Sequence, residues 1–298
     1  MEEIIKIDSV AAYNKMRGVA TYHPLITVVD LSKAQPMAAR TFNFGLYAIF
    51  LKELNCGELK YGRNLYDYQE WTLVFIAPGQ ILSVQPSVKT FASKGWALLF
   101  DPELIKGTSL GKHISNYSFF SYDSNEALHL SEKERQIVLD CFDKIQYELT
   151  QSIDKHSKTL IASNIELFLN YCVRFYDRQF ITRDNANKGI LESFEELLNS
   201  YFSSEKPQTI GLPSVAWCAT ELHLSANYFG DLIKKDTGKT AQEYIQSKVI
   251  DLAKERIFDI DKSIGEVAYE LGFKYPQHFT RLFKQRVGQS PSEYRRLN

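Results

Sequence analysis

The stretch Ser263-Ile264-Gly265-Glu266-Val267-Ala268-Tyr269-Glu270-Leu271-Gly272-Phe273, followed by Lys274-Tyr275-Pro276-Gln277 and His278-Phe279-Thr280-Arg281-Leu282-Phe283-Lys284, decides how the last third of the chain folds. A Ser stands where a helix needs an N-cap, a small Ala where two helices cross, and Leu271 closes the first helix. A short polar turn then opens a second helix, anchored by aromatic residues and ending in basic ones. The same design occurs upstream as Ser214-Val215-Ala216-Trp217-Cys218-Ala219-Thr220-Glu221-Leu222-His223, Leu224-Ser225-Ala226-Asn227 and Tyr228-Phe229-Gly230-Asp231-Leu232-Ile233-Lys234-Lys235. Each copy predicts a helix-turn-helix, in which the first helix braces the second and the second has the dimensions of the DNA major groove.

Each second helix meets a similar stop, Lys235-Asp236-Thr237-Gly238-Lys239-Thr240 and Arg286-Val287-Gly288-Gln289-Ser290-Pro291. Gly238 and Gly288 fit the left-handed position after a helix, and Thr240 and Ser290 can cap the next one. From Ala241 to about Phe258 the pattern predicts one uninterrupted helix. At ~1.5 Å per residue it spans about 27 Å. With the widths of the flanking modules added, the two second helices come near the ~34 Å repeat of one DNA turn.

Gly272-Phe273, Phe279, Arg281-Leu282-Phe283-Lys284, Gly288, Ser290-Pro291 and Tyr294-Arg295 resemble the C-terminal signature of the AraC/XylS family of bacterial transcription regulators. The likeness covers about 188–298. Residues 20–130 more weakly resemble the cupin-like sensor domain that many such regulators carry ahead of a dimerising helical pair. The resemblance implies a sequence-specific, promoter-binding activator without a cofactor. Its partners would be double-stranded DNA, RNA polymerase, a small-molecule effector and a second copy of itself.

By the same resemblance the base-facing positions are Ala226, Asn227, Gly230 and Asp231 in the first unit, and Pro276, Gln277, Thr280 and Arg281 in the second. Asn227 and Gln277 can bond adenine bidentately, and Arg281 guanine or a phosphate. Lys234, Lys235, Lys284 and Arg295 suit phosphates. Asp231 departs from the family, where its position is often basic. A carboxylate can accept from cytosine N4 but repels phosphate, and it can equally pair with Lys234 or Lys235 along its own helix.

Charge supports this division. Residues 1–206 hold 22 Lys and Arg against 25 Asp and Glu, whereas 207–298 hold 13 against 11. Within 274–298 six basic residues (Lys274, Arg281, Lys284, Arg286, Arg295, Arg296) face one acid, Glu293. A local basic patch on a chain of net charge −1 is the footprint of a DNA reader carried by a larger body.

Upstream, short β-rich runs (Leu25–Val29, Gly45–Leu51, Thr72–Ile76, Trp96–Phe100) alternate with turn residues and predict an antiparallel sandwich or barrel. From Ser131 the period becomes helical, opened by the capping-box pair Ser131 and Glu134. One helix runs through about Ser152 and a second from about Lys155 to Arg178. Ile161, Ile165, Phe168, Cys172 and Phe175 form a seam on the second helix. It either packs on the sandwich or forms a subunit interface, with Leu160, Leu167 and Tyr171 then serving the contact within the chain. The polar stretch after Asp177 lacks periodicity and reads as a linker. The expected organisation is α+β: a cupin-like antiparallel β-barrel with its helical pair (about 131–178) over 1–180, a linker at 181–189, and an all-α domain with two helix-turn-helix units over 190–298.

A length of 298 residues fits two domains, and 44% hydrophobic with 24% charged residues is globular composition. No apolar run reaches the ~18 residues of a membrane span. The acidic start Met1-Glu2-Glu3 is unlike a secretory signal, and Cys56, Cys141, Cys172 and Cys218 are too dispersed for a disulfide framework, so a cytoplasmic location is expected. His23, His113 and His129 are scattered without ligand spacing, and no nucleophile or phosphate-loop motif occurs, so no metal or catalytic residue is expected. Arg63, Tyr66, Tyr68 and Trp71 sit where a barrel mouth could take a ligand. Two other readings compete: a metal-dependent cupin enzyme with a helical appendage, and a protein-interaction module built on the helix-turn-helix units.

Overall fold

The computed structural model describes residues 4–35, 41–53, 71–83, 95–123, 126–182 and 184–297. The chain divides into two units, Met1–Thr182 and Arg183–Asn298.

The first unit begins with strand β1 (Ile4–Ile7) and helix α1 (Val10–Arg17). The Ser9 hydroxyl caps α1, accepting from the Ala12 N–H at 3.2 Å. Strands β2 (Ile26–Asp30), β3 (Thr41–Phe44), β4 (Tyr47–Glu53), β5 (Trp71–Ile76), β6 (Ile81–Ser83) and β7 (Gly95–Phe100) follow. Short helices α2 (Pro102–Ile105) and α3 (Ser109–His113) lead to β8 (Leu128–His129). The helical pair is α4 (Glu132–Thr150) and α5 (Ser157–Thr182).

Strands β2-β7-β4-β5-β8 form a five-stranded sheet with every pair antiparallel. The other sheet, β1-β3-β6, departs from the purely antiparallel expectation: β1 runs parallel to β3, because α1 intervenes before the chain returns. Both faces of the large sheet are buried. Ala48, Phe50, Ile76, Ala97 and Leu99 meet α1 and the smaller sheet through Val10, Tyr13, Phe42 and Phe44. The opposite face turns Phe75 toward Phe119, Phe120 and Tyr176, with ring centroids 4.4, 5.5 and 6.3 Å away. Two buried faces explain why these strands read as continuous apolar runs rather than alternating ones.

Ser131 and Glu134 form the expected capping box at the start of α4. Glu134 also receives Arg178 from α5, with Nε to Oε1 at 2.8 Å and Nη2 to Oε2 at 2.9 Å. Arg178 Nη2 further donates to the His129 carbonyl at 2.6 Å, so one ion pair joins both helices to β8. Cys141, Cys172 and Cys218 are buried thiols, each pushed up by burial, whereas Cys56 lies outside the described residues.

The seam on α5 answers the question left open by its spacing. Ile161, Ile165, Phe168, Cys172 and Phe175 are all buried within the chain itself, and Phe168 packs on Phe142 of α4 at 5.2 Å. The subunit-interface reading of those five is therefore corrected. The exposed apolar residues of α5 instead include Leu160 and Leu167, at 46% and 41%. Periodicity identifies which residues share a face, but not what covers it.

The second unit is helical throughout. It comprises α6 (Asp184–Phe202), α7 (Lys206–Ile210), α8 (Val215–Glu221), α9 (Ala226–Thr237), α10 (Ala241–Arg256), α11 (Ile264–Glu270), α12 (Pro276–Val287) and α13 (Pro291–Leu297). The polar stretch read as a linker over 181–189 is helical on both sides of position 183. It contains no proline, and its single glycine, Gly189, is tolerated inside a helix at a cost of about 1 kcal/mol.

Candidate nucleic-acid interface

Two helix pairs, α8–α9 and α11–α12, repeat one geometry. Ser214 caps α8 through the Trp217 N–H at 3.1 Å, and Ser263 caps α11 through the Glu266 N–H at 3.2 Å. Ala219 and Ala268 are fully buried where the paired helices cross. The second helices start differently. Ser225 caps α9 by accepting from the Tyr228 N–H at 3.2 Å, whereas α12 opens on Pro276, whose fixed φ suits the first helical position.

The turns also differ at one matching position. His223 holds φ 57° in the first turn, and Gly272 holds φ 94° in the second. A side chain at Gly272 would place its Cβ 2.9 Å from the carbonyl carbon of Gly211, so both the angle and the space demand glycine there. His223 carries the left-handed conformation with a side chain.

Gly238 and Gly288 end α9 and α12 with φ 71° and 86°, as the stops predict. Thr240 with Glu243, and Ser290 with Glu293, then form capping boxes for α10 and α13. Helix α10 is two residues shorter than expected, ending at Arg256. Its buried residues Ala241, Ile245, Val249, Ile250 and Ala253 face α9, α11 and α12, making it the shared spine. Arg286 of α12 donates to Gln246 of α10 at 2.8 Å, and Arg256 donates to the Phe202 carbonyl at 2.9 Å. On the other side of the spine, Phe194 of α6 meets Phe229 edge-on at 4.9 Å.

Packing decides which faces remain outward. Helix α9 buries Tyr228, Phe229, Leu232 and Ile233, and α12 buries Phe279 and Phe283. Asn227, Asp231 and Lys234 consequently share the outer face of α9, and Gln277, Thr280, Arg281 and Lys284 that of α12. Asn227, Lys234, Lys235, Gln277, Arg281 and Lys284 are exposed, while Asp231 and Thr280 are half-buried. The Thr280 hydroxyl donates back to the Pro276 carbonyl at 3.1 Å, which leaves its oxygen able to accept. Asp231 and Lys235 each already interact within the chain. The two faces differ in charge at one equivalent place, with Asp231 on α9 and Arg281 on α12.

Arg295 stands apart from the other basic residues. Its Nε donates to the Ile257 carbonyl and its Nη2 to the Lys262 carbonyl at 2.9 Å. The guanidinium thus ties α13 to the end of α10 and the following loop, which favours a structural task over the phosphate contact expected of it. The family signature marks the residue but not its task, which only the fold reveals. Of the residues read as a ligand mouth, Arg63, Tyr66 and Tyr68 lie outside the described residues. Trp71 lies on the helix-facing side of the large sheet under the Arg135 guanidinium, which stands 4.8 Å from the indole ring centroid. Among the described residues no group of three His, Cys, Asp or Glu could hold a metal, and no helix is long and apolar enough to cross a membrane.

A helix-turn-helix domain profile matches residues 218–297. The HTH-type transcriptional regulator YfiF of Bacillus subtilis is 30% identical over 141 residues, which is 47% of this chain and 41% of that protein. The HTH-type transcriptional regulator YijO of Escherichia coli is 23% identical over 229 residues, 74% of each chain. Among solved structures, the C-terminal domain of AraT, a response regulator from Geobacillus stearothermophilus, aligns with a TM-score of 0.33 at 23% identity. That alignment covers 37% of this chain and 85% of the other. The chain spans less than half the length of the Bacillus subtilis regulators YfiF, YtdP and YesN that it matches. The doubled helix-turn-helix and these sequence matches make the C-terminal unit a helix-turn-helix domain of the AraC type, similar to those of HTH-type transcriptional regulators.

Proposed function

We propose that this chain is a sequence-specific, DNA-binding transcription regulator, acting as an activator in the cytoplasm. Its two second helices read half-sites in successive major grooves on one side of the duplex. The observation that carries this reading is the repeated outer face, Asn227/Asp231/Lys234 on α9 and Gln277/Arg281/Lys284 on α12, held on the single spine α10. At ~1.5 Å per residue the 16 residues of α10 extend about 24 Å, and the modules at its ends bring the readers to one helical turn.

The charge difference divides the labour. Helix α12, with Arg281 and Lys284, supplies phosphate attraction and guanine readout, while Asp231 on α9 accepts from cytosine N4 and discourages loose phosphate binding. The N-terminal unit serves as a cupin-like sensing and dimerisation domain. A second copy meets the exposed stripe of α5 around Leu160 and Leu167 rather than its buried seam. RNA polymerase is the partner through which an activator of this kind works, and a small molecule in the N-terminal unit shifts how the DNA domains are presented.

Two substitutions in the full chain test the reading. Gln277→Ala should cost about 1–3 kcal/mol on the preferred site and relax one base position. Lys284→Ala should weaken every sequence evenly and lower the salt slope by about one. An unchanged base preference in Gln277→Ala, measured by competition on single-base variants of the site, would sink the assignment of α12 as a reader.

A further inference from the structure

Among the described residues of the N-terminal unit, the least satisfied group is a buried cation. Arg17 lies on the inward stripe of α1 with Val10, Tyr13 and Asn14, and is only 1% exposed. A guanidinium stays cationic in proteins and presents five N–H donors. None of Nε, Nη1 and Nη2 has a hydrogen-bond partner among the described residues, and all three are out of contact with solvent. Two neighbours on the same stripe are unmatched as well. They are the Tyr13 hydroxyl and Oδ1 of Asn14, whose Nδ2 is already committed to the Ala20 carbonyl at 3.3 Å and the Thr21 hydroxyl at 3.1 Å.

Other buried polar side chains of the unit, Gln179 and Glu126, do find partners. Gln179 accepts from the His129 N–H at 2.8 Å and donates to the Ala127 carbonyl at 3.2 Å. The carboxylate of Glu126, the one buried acid among the described residues, accepts the Asp123 N–H at 2.8 Å. A guanidinium without a counter-charge is costly to bury, so a site that keeps one is built to receive an anion.

We propose that Arg17, Tyr13 and Asn14 form the polar end of a ligand site inside the N-terminal unit, and that it takes a small organic monocarboxylate. The carboxylate meets the guanidinium fork, which matches it in charge and in bidentate geometry. A phosphate dianion would leave one negative charge unmatched. The Tyr13 hydroxyl is pushed up to about 12 by burial, although Arg17 opposes the shift, and so remains a neutral donor to a carboxylate oxygen. A ligand hydroxyl or N–H would answer Asn14 Oδ1. The apolar body of the acid lies against the cluster that includes Val10, Val29, Leu31 and Phe42. The regulatory meaning of the site rests on the sensing role proposed above; the binding itself does not.

The test is thermal unfolding of the full chain with millimolar sodium phenylacetate or hexanoate, against neutral phenylacetamide and inorganic phosphate. At least one of the two acids should raise the wild-type melting temperature with increasing concentration, and neither control should. Arg17→Met should fold, melt at or above the ligand-free wild type, and bind the acid at least about tenfold more weakly. Tyr13→Phe should fold and bind several-fold more weakly. No shift with either acid, a shift that survives in Arg17→Met, or an Arg17→Met chain that unfolds while Tyr13→Phe binds like wild type would each overturn the proposal. A gel shift with and without the acid separates the two readings. Carboxylate binding with unaltered DNA affinity keeps the site and rejects its sensing role, whereas loss of the site leaves DNA binding as it was.

Discussion

Arg295 and Lys284 are both basic, both on the last two helices, and work differently. The Arg295 guanidinium closes the main-chain carbonyls of Ile257 and Lys262, whereas Lys284 is exposed on the outer face of α12. Removing charge-assisted bonds from a partly buried arginine costs about 2–3 kcal/mol. Arg295→Ala should therefore lower the stability of the full chain by about that amount in denaturant titration, with no loss of one unit from the salt slope of DNA binding. Full stability with a reduced slope would restore Arg295 to the phosphate contacts. Residue type alone could not separate the two tasks, since the sequence presents Arg295 and Lys284 as equivalent cations.

Among the elements, the turns and caps are where sequence and energy meet most directly. His223 and Gly272 occupy the same left-handed place in the two turns. A side chain in that region costs about 1 kcal/mol, so His223→Gly should stabilise the chain by up to about that amount, less the extra backbone entropy that glycine loses. Gly272→Ala combines the angle with a collision against the Gly211 backbone and should destabilise by more than about 2 kcal/mol in the same thermal melts. The capping glutamates add a pH dependence. Glu243, Glu266 and Glu293 are all held below the usual carboxylate value, chiefly by hydrogen bonds from Thr240, Ser263 and Ser290. A carboxylate depressed in the folded state stabilises above its unfolded value, and that stabilisation is lost as pH falls. Stability should therefore decline below about pH 4.3, with Glu243→Gln, Glu266→Gln and Glu293→Gln combined flattening the decline. An acid limb that is the same in the triple variant would contradict this account.

These elements also show what a sequence discloses. The helix-turn-helix pairs were legible because caps, stops and aromatic anchors act over a few residues, and Gly238, Gly288, Thr240 and Ser290 do what their types suggest. The strands β2, β4, β5 and β7 were legible as apolar runs, but the brief β1, β3, β6 and β8 and the parallel β1–β3 pairing were not. Pairing is a long-range choice, and burial on both faces erases the alternation that would mark a strand's two sides. The seam on α5 was visible as a stripe, but what covers it was not, for the same reason: the helix it packs on, α4, is set by the fold. Arg17 gave no local signal, because its stripe becomes a buried one only when α1 docks on the sheets.

For the whole molecule, the function proposed above has one chain presenting two readers on one spine. A single basic patch would predict salt-sensitive binding with little sequence preference, while two positioned faces predict a bipartite site. The contrast between Asp231 and Arg281 further predicts that the half-site read by α12 carries more of the affinity and that read by α9 more of the selectivity. The direct measurement is selection of binding sites from random duplex DNA by the full chain at two salt concentrations. Two motifs with centres about ten base pairs apart, retained at the higher salt, are expected. Sequence-blind binding that disappears with salt, or a single motif unaffected by substitutions on α9, would contradict the proposed function.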